Sequence, residues 1–545
     1  MKITRLSRYC VTALLCTLLA SCAGIPPPDR PKLLVILVVD GLPQRQVLAY
    51  RDQLAPDGFA RFLDRGAWFA QANHRHAFTV TAAGHAAVLT GAYPDRTGII
   101  GNEWRDPETG LPVYCAGDGA ATYIGNRTDP LDGTSPKNLK VETLGDVLRR
   151  IDPRSRVIGI SGKDRGAILL AGKMGTAYMY MDETGRFASS TFYMKQHPGW
   201  VDSFNGRKPA DRFFKTEWKP LLPEAAYARS VPDNQPWYLP GGKLPMMMGT
   251  AGDDAPGLAY YTQLLSSPFI DVLALDFARA AIAGEQLGRR DVPDILAVSL
   301  SGHDYVNHRW SAESRLSHDH MLQLDRLLQA FFRDLDATLG KDAYVAVLTA
   351  DHGFMPSPEY NRERGIEGGR IAFAQVLAHI NAGMAQRFGE GRWAIGNSGS
   401  SLVLDKRLIA QKQLDPETVA QEARRLLLAE PGFAAAFTRG ELLSGSRSAE
   451  PLFDALRKSW HPDVSAQVQY TLKPNWMFGS AGATHGSPHP YDTHVPILVY
   501  GPRWVKAGAV QAPVEVVDIA PTLARLLHVP APAASEGRPL PLAAP

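Results

Sequence analysis

Three apolar runs, each followed closely by an aspartate, constrain this chain most. Residues 32–39 read KLLVILVV and deliver Asp40 and Gly41. Residues 295–300 lead through Gly302 and His303 to Asp304, and residues 344–350 lead to Asp351, His352 and Gly353. Continuous apolar, β-branched runs of this length belong to strands buried on both faces, as in parallel sheets covered by helices. In open α/β sheets ligands gather at the C-terminal edge of the strands. All three aspartates are therefore expected along one sheet edge. Taken singly, Asp40-Gly41 also reads as a turn, and Asp351-His352-Gly353 as a turn beside a core histidine.

The remaining elements fit the same architecture. Helices are expected at residues 54–65, 141–151, 317–339 and 518–527, with strands at 156–160 and 497–500. Strands alternating with helices imply an α/β fold with a mostly parallel central sheet flanked by helices. Two stretches lack this rhythm. Residues 181–253 are rich in aromatics, proline and glycine, and residues 356–477 separate the Asp351 strand from the last histidines. Both are expected to be insertions that form lids or hairpins over a site.

Residues 76–104 read HAFTVTAAGHAAVLTGAYPDRTGIIGNEW. A short helical run from Ala82 to Leu89 stops at Gly91 and Pro94, which places Thr81 at or just before a helix N-terminus. Unpaired N–H groups and the helix dipole there favour an alkoxide or a bound phosphate. Read locally, Thr81 is only an N-cap. Asn102 sits on the loop that follows.

Residues 161–166 (SGKDRG) follow a strand. Lys163 and Arg165 beside glycines suit a loop that grips an oxyanion, the lysine as a point charge and the arginine as a planar fork. Asp304 and His308 are four apart, so on a helical turn they face the same way and suit one metal ion. Residues 484–496 carry His485, His489 and His494.

The first residues read as a targeting signal. Lys2, Arg5 and Arg8 precede an apolar run over residues 11–20, too short to span a bilayer as a mature helix. It ends in Leu19-Ala20-Ser21-Cys22, which resembles a bacterial lipobox. The expected layout is a signal peptide at 1–21, a lipidated tether at 22–31 and one catalytic domain at 32–545. The protein is expected in the periplasm, held to the membrane only through Cys22. An ordinary cleaved signal is the simpler alternative. The three signal cations equal the whole formal charge of +3, so the mature chain is near neutral and electrostatics give no case for nucleic acid. Only Cys115 lies beyond the signal, so metal ligation there must use Asp and His.

Asp40, Thr81, Asp304, His308, Asp351, His352 and one of the three late histidines are enough for two metal ions. Mixed Asp and His ligands without Cys fit catalytic zinc better than magnesium or calcium. Two ions roughly 3.5–4 Å apart clamp the attacking and leaving oxygens of a displacement.

These residues also carry a family resemblance. VVDG at 38–41, TAAGH at 81–85, GIIGNEW at 98–104, SGKDRGAILLAG at 161–172, DYVNH at 304–308, TADHGF at 349–354 and THGSPHPYDTHVP at 484–496 make the chain resemble the alkaline phosphatase superfamily over nearly its whole mature length. The PafA-type, phosphate-irrepressible enzymes resemble it most. The resemblance implies that Thr81 is the nucleophile that forms a phosphothreonine intermediate. It implies one zinc held by Asp40, Asp351, His352 and the Thr81 oxygen, and a second held by Asp304, His308 and His485. His485 is preferred to His494 for its Thr-His-Gly setting, and His494 is left as a supporting group. Asn102, Lys163 and Arg165 resemble the family's contacts to the non-bridging phosphoryl oxygens. Two departures stand out: Ala83 where the family has proline, and Gly302-His303 where it has Ser-Thr.

The implied reaction is hydrolysis of small phosphate monoesters. In it the zinc held by Asp304, His308 and His485 serves the leaving oxygen. A nucleotide pyrophosphatase or phosphodiesterase shares the bimetal core but lacks the Lys-x-Arg pair, and is the alternative. A non-catalytic surface lipoprotein that kept the fold is the alternative of another class. The lack of a Cys-x-Pro-x-Arg segment, and Thr81 at the nucleophile's place, argue against a sulfatase.

Overall fold

The computed structural model describes residues 30–543. The expected signal peptide, Cys22 and all but the end of the tether lie outside the described residues. The body is built on a nine-stranded sheet. Its strands are β1 (Leu33–Val39), β2 (Ala67–Asn73), β3 (Val157–Ser161), β4 (Thr176–Met181), β5 (Arg186–Ala188), β6 (Asp294–Leu300), β7 (Tyr344–Thr349), β8 (Ile497–Tyr500) and β9 (Gly508–Glu515). They run in the order β9-β2-β8-β7-β1-β6-β3-β4-β5.

β1 is central because every one of its residues is apolar and fully buried. It pairs in parallel with β6 on one side (Val39 opposite Leu300) and with β7 on the other (Val38 opposite Thr349). β3 and β4 extend the parallel half. β8 joins β7 antiparallel, so the residues that lead into β8 start from the same edge where β1, β6 and β7 end. The fold thus collects Asp40, Lys163, Asp304, Asp351 and residues 484–494 along one edge.

Five helices matter for the site: α1 (Thr81–Thr90), α2 (Asp164–Ala171), α3 (Pro268–Glu285), α4 (Gly302–Trp310) and α5 (Arg315–Leu339). The helix expected from Leu54 begins only at Phe59. Pro56 and Gly58 precede it, and the Asp325 carboxylate of α5 accepts the N–H groups of Ala55 and Phe59 at 2.6 and 2.7 Å. A distant side chain therefore satisfies the helix start in place of a local cap.

The stretch 181–253 contributes β5 to the sheet edge. Further along, Trp218 and Tyr227 hydrogen-bond to Asp319 of α5. The stretch 356–477 builds its own four-stranded antiparallel sheet, from residues 394–398, 401–404, 433–438 and 468–472. A separate apolar core that includes Trp393, Leu402, Phe433 and Tyr470 supports it.

One buried carboxylate outside the site gives a test of packing. Asp95, in the short helix Pro94–Thr97, has an Oδ1 atom with no hydrogen-bond partner. Burial, then the nearby Glu536, push its pKa up to about 6. An unfolded Asp ionises near 3.9, so between these values the folded chain holds the extra proton. Stability therefore falls as pH rises from about 4 to about 6, and the cost persists above that. Asp95→Asn is expected to raise the unfolding free energy by about 1–2 kcal/mol at pH 8 and to change it little at pH 4. Denaturant melts at the two pH values check this.

Candidate metal and phosphate site

Thr81 is the first residue of α1, and the N-cap is Val80, which makes no side-chain cap bond. The N-cap reading of Thr81 is thereby replaced: its hydroxyl sits at the helix start without a capping role. Val80 is in extended conformation, and Gly91 ends the helix with a left-handed turn. The helix presses against the end of β7 at Gly84, where an added Cβ would lie 2.0 Å from the Asp351 carbonyl oxygen. Only glycine allows that approach, which packs the first turn of α1 against Asp351.

Asp40 follows β1 directly, and Asp351 follows β7 after Ala350. Gly41 N–H donates to Asp351 Oδ1 at 3.1 Å, as does His352 N–H at 3.0 Å. Asp304 and His308 sit one turn apart on α4, as their spacing predicts. These side chains converge. His352 Nε2 lies 3.4 Å from Asp40 Oδ1 and 3.4 Å from Asp351 Oδ2. His308 Nε2 lies 3.4 Å from Asp304 Oδ1 and 3.2 Å from His485 Nε2, and His485 Nε2 lies 3.5 Å from Asp304 Oδ1. His352 Nε2 is 3.9 Å from Asp304 Oδ1, so the two groups share a boundary.

The donor set suits metal ions. Tetrahedral zinc with bonds of about 2.0–2.1 Å sets its ligand atoms roughly 3.3–3.4 Å apart, close to the observed separations. All three histidines direct Nδ1 to a backbone carbonyl: His352 to Gly353, His308 to Ala483 and His485 to Thr79. Those carbonyls accept the Nδ1 protons, which leaves each Nε2 lone pair for a ligand. Two imidazole lone pairs facing at 3.2 Å repel unless a proton or a metal ion stands between them. Asp40 Oδ1, Asp304 Oδ1, Asp351 Oδ2 and His352 Nε2 are buried without hydrogen-bond partners, a cost that ligation would remove.

Charge points the same way. Two buried carboxylates, Asp40 and Asp304, face one buried lysine. Lys163 Nζ donates to Asp304 Oδ2 at 2.5 Å and lies 2.7 Å from Asp40 Oδ2. Burial works against the ammonium, but Asp304 and Asp40 outweigh it and hold Lys163 well above the ordinary lysine range. Burial opposes Asp40 as well, yet Lys163 and His352 hold its carboxyl well below the carboxylate range. Burial would lower His352, but with no ion bound Asp351, Asp40 and Asp304 push it up to about 9, so an ion would displace its Nε2 proton on binding. Burial keeps His308 and His485 low, and they stay neutral.

Lys163 caps α2 and Arg165 lies in its first turn, so the expected Lys-Arg loop is half helix. Arg165 Nη1 donates to Tyr114 Oη at 3.1 Å, and Tyr114 donates to Asp164 at 2.5 Å. Asn102 Oδ1 accepts the Ala82 N–H at 2.9 Å, which fixes its amide beside the start of α1. Asn102, His308 and His485 line a cavity of about 320 Å³, and Lys163 and Arg165 line another of about 350 Å³. His494 stands apart, its Nε2–H donated to Ala70 O at 2.9 Å.

His85 had no role in the sequence reading beyond its motif. Its Nδ1 lies 2.8 Å from Thr81 O and 3.1 Å from Asp351 Oδ2, and it joins Asp40 and Asp351 in a second group with metal-ligating donors. The signal was its position four residues after Thr81, one helical turn on. The Gly302-His303 departure also has a structural reason. A Cβ at Gly302 would meet His320 Nε2 at 2.6 Å and Asp271 Oδ2 at 2.8 Å, a buried pair 3.2 Å apart. His303 lies among this pair and Gln46, where burial and His320 hold it neutral.

Comparison with known proteins places these residues in company. The pattern of the family described as "Type I phosphodiesterase / nucleotide pyrophosphatase" matches residues 34–492. Alkaline phosphatase PafA of Elizabethkingia meningoseptica is 33% identical over 519 residues, covering 94% of each chain. A Myroides odoratus protein named calcium-transporting ATPase is 33% identical over 543 residues, covering 97% of this chain and 98% of its own. Alkaline phosphatase PhoV of Synechococcus elongatus is 33% identical over 534 residues, covering 93% and 92%. The crystal structure of wild-type PafA superposes with a TM-score of 0.87 at 31% identity, over 95% of this chain and 99% of that one.

Proposed function

Because the chain belongs to the type I phosphodiesterase / nucleotide pyrophosphatase family, together with the PafA-type alkaline phosphatases, we propose that it is a two-zinc phosphomonoesterase working through Thr81. The observation that carries this is the convergence of Asp40, Asp304, Asp351, His308, His352 and His485 on one sheet edge, with a threonine hydroxyl at the start of an adjoining helix.

Asp40, Asp351 and His352, with the Thr81 oxygen, would hold one ion; Asp304, His308 and His485 would hold the other. Bound zinc supplies Lewis acidity, which lowers the pKa of a hydroxyl or water and neutralises a leaving oxygen. The chain's own residues do the rest. Thr81 Oγ attacks phosphorus in line; its bond to phosphorus forms as the ester P–O bond breaks, the Thr81 proton is released, and the leaving alkoxide takes up a proton and departs as the alcohol. Water then attacks the phosphothreonine, giving inorganic phosphate and restoring the hydroxyl. The α1 N-terminus favours the negative charge that develops beside it. Asn102, Lys163 and Arg165 hold the non-bridging oxygens, and Asn102 keeps its amide N–H₂ free because its carbonyl is taken by Ala82. A monoester dianion has three such oxygens, a diester two, so these contacts favour the monoester.

The family description favours a second reading, a phosphodiesterase on the same core. The calcium-transporting ATPase name belongs to that relative, and among the described residues no helix is long and apolar enough to cross a membrane. The protein is further proposed to act in the periplasm on small phosphorylated molecules, held by a lipid on Cys22. Cys22→Ser is expected to shift it from the membrane to the soluble fraction, and unchanged partitioning contradicts the anchor.

The test is reconstitution. Chelated protein is expected to lose monoesterase activity and to regain it as zinc is added up to two equivalents. Saturation at one equivalent, or full activity after chelation, contradicts the two-zinc proposal.

A further inference from the structure

The cavity beside His308 and His485 has walls that the phosphoryl chemistry does not use. Phe78 and Met355 form one part, and Leu472, Tyr470 and Trp476 from the second insertion, with Phe478 just after it, form the other. Four of these six are aromatic. Tyr470 and Phe478 belong to the insertion's own aromatic cluster, with ring centroids 6.2 Å apart at 80°. Phe78 is different. It is half-buried, three residues before Thr81, and among the described residues it contacts no other ring. Glycines surround it: Cβ atoms built at Gly101 and Gly486 would lie 3.3 and 3.2 Å from its ring. Larger residues there would crowd the ring, so the glycines keep the cavity beside it open.

A second observation points to a ligand. Tyr470 is 2% exposed, borders the cavity, and its hydroxyl has no hydrogen-bond partner. A buried hydroxyl left unpaired carries a cost that a bound polar group would remove. About 320 Å³ is at the lower end of the range for a small-molecule pocket and holds one flat ring system with a short linker.

We infer that this cavity binds the alcohol part of the substrate, and that the preferred substrates are phosphate monoesters whose leaving group carries a flat aromatic ring with a polar edge. The inference rests on the phosphomonoesterase reading, in which His308 and His485 belong to the leaving-group side of the site. Phe78 and Phe478 offer ring faces for stacking, and the Tyr470 hydroxyl offers one hydrogen bond at the ring's edge. The second insertion therefore sets specificity, while the sheet edge carries the chemistry.

The experiment compares kcat/KM for 2-phenylethyl, 2-cyclohexylethyl and ethyl phosphate, all esters of primary alcohols. Their leaving groups differ little in acidity, so binding decides the ranking. The phenyl ester is expected to exceed the ethyl ester by about 10- to 100-fold, the range that stacking on aromatic side chains supplies, and to exceed the cyclohexyl ester as well. The phenyl-to-ethyl ratio is expected to fall at least about fivefold in Phe78→Ala, chiefly through KM. Phe478→Leu, which keeps apolar bulk, is expected to lower the phenyl-to-cyclohexyl ratio. Equal turnover of the three esters, or ratios unmoved by both substitutions, overturns this inference and leaves the phosphomonoesterase reading standing. No turnover of any of them overturns both.

Discussion

Thr81→Ala loses at least about a thousandfold in kcat for a phosphate monoester, because a covalent route cannot run without its nucleophile. The argument rests on position. Thr81 is the first residue of α1, its hydroxyl caps nothing, and Gly84 holds the helix against Asp351. An alanine keeps the helix, since alanine is the best helix former, and leaves Asp40, Asp351 and His352 in place. Metal content is therefore expected to change much less than rate. Thr81→Ser keeps the hydroxyl and is expected to retain a substantial part of the activity. Acid-quenched enzyme incubated with labelled monoester is expected to carry phosphate on residue 81 in wild type and none in the alanine variant. An alanine variant within tenfold of wild type contradicts the nucleophile assignment.

Asp304→Asn is the second large effect. The Asp304 carboxylate touches both metal-binding groups: Oδ1 lies near His308, His485 and His352, and Oδ2 accepts from Lys163. Outer-shell partners of metal ligands are each worth about 10–100-fold in affinity or activity, so the loss of a ligand exceeds that. Activity at micromolar zinc is expected to fall more than about a hundredfold, with part of the loss recovered at millimolar zinc. The loss should include one of the two bound ions, read by metal analysis after gel filtration. A variant that keeps both ions contradicts the ligand assignment.

The parts of the fold that sequence pattern exposed are those where burial dictates residue type. β1, β6 and β7 are buried on both faces, so they read as mostly apolar runs, and their ends place Asp40, Asp304 and Asp351 together. The Asp304–His308 spacing was legible because α4 is a regular helix. Tertiary partners hid the rest. The helix expected from Leu54 starts at Phe59 because Asp325, 270 positions from Ala55, completes its first turn. β5 lay concealed in an irregular, aromatic-rich stretch, since a three-residue edge strand has no period to read. Thr81 could be read as a cap because local sequence does not fix whether a helix begins at residue 81 or 82. That the second insertion walls the cavity at His308 and His485 depends on packing between segments about 400 residues apart, from Phe78 to Phe478, which no local pattern records.

The most direct test of the central claim is the ratio of kcat/KM for a phosphate monoester to that for a matched diester. It should be measured on zinc-loaded protein before and after Lys163→Ala/Arg165→Ala. A monoesterase that reads the third non-bridging oxygen through these cations favours the monoester strongly, and the double variant loses mainly that activity, so the ratio collapses. A ratio that favours the diester and does not move with the substitutions contradicts the account and leaves the core to a phosphodiesterase.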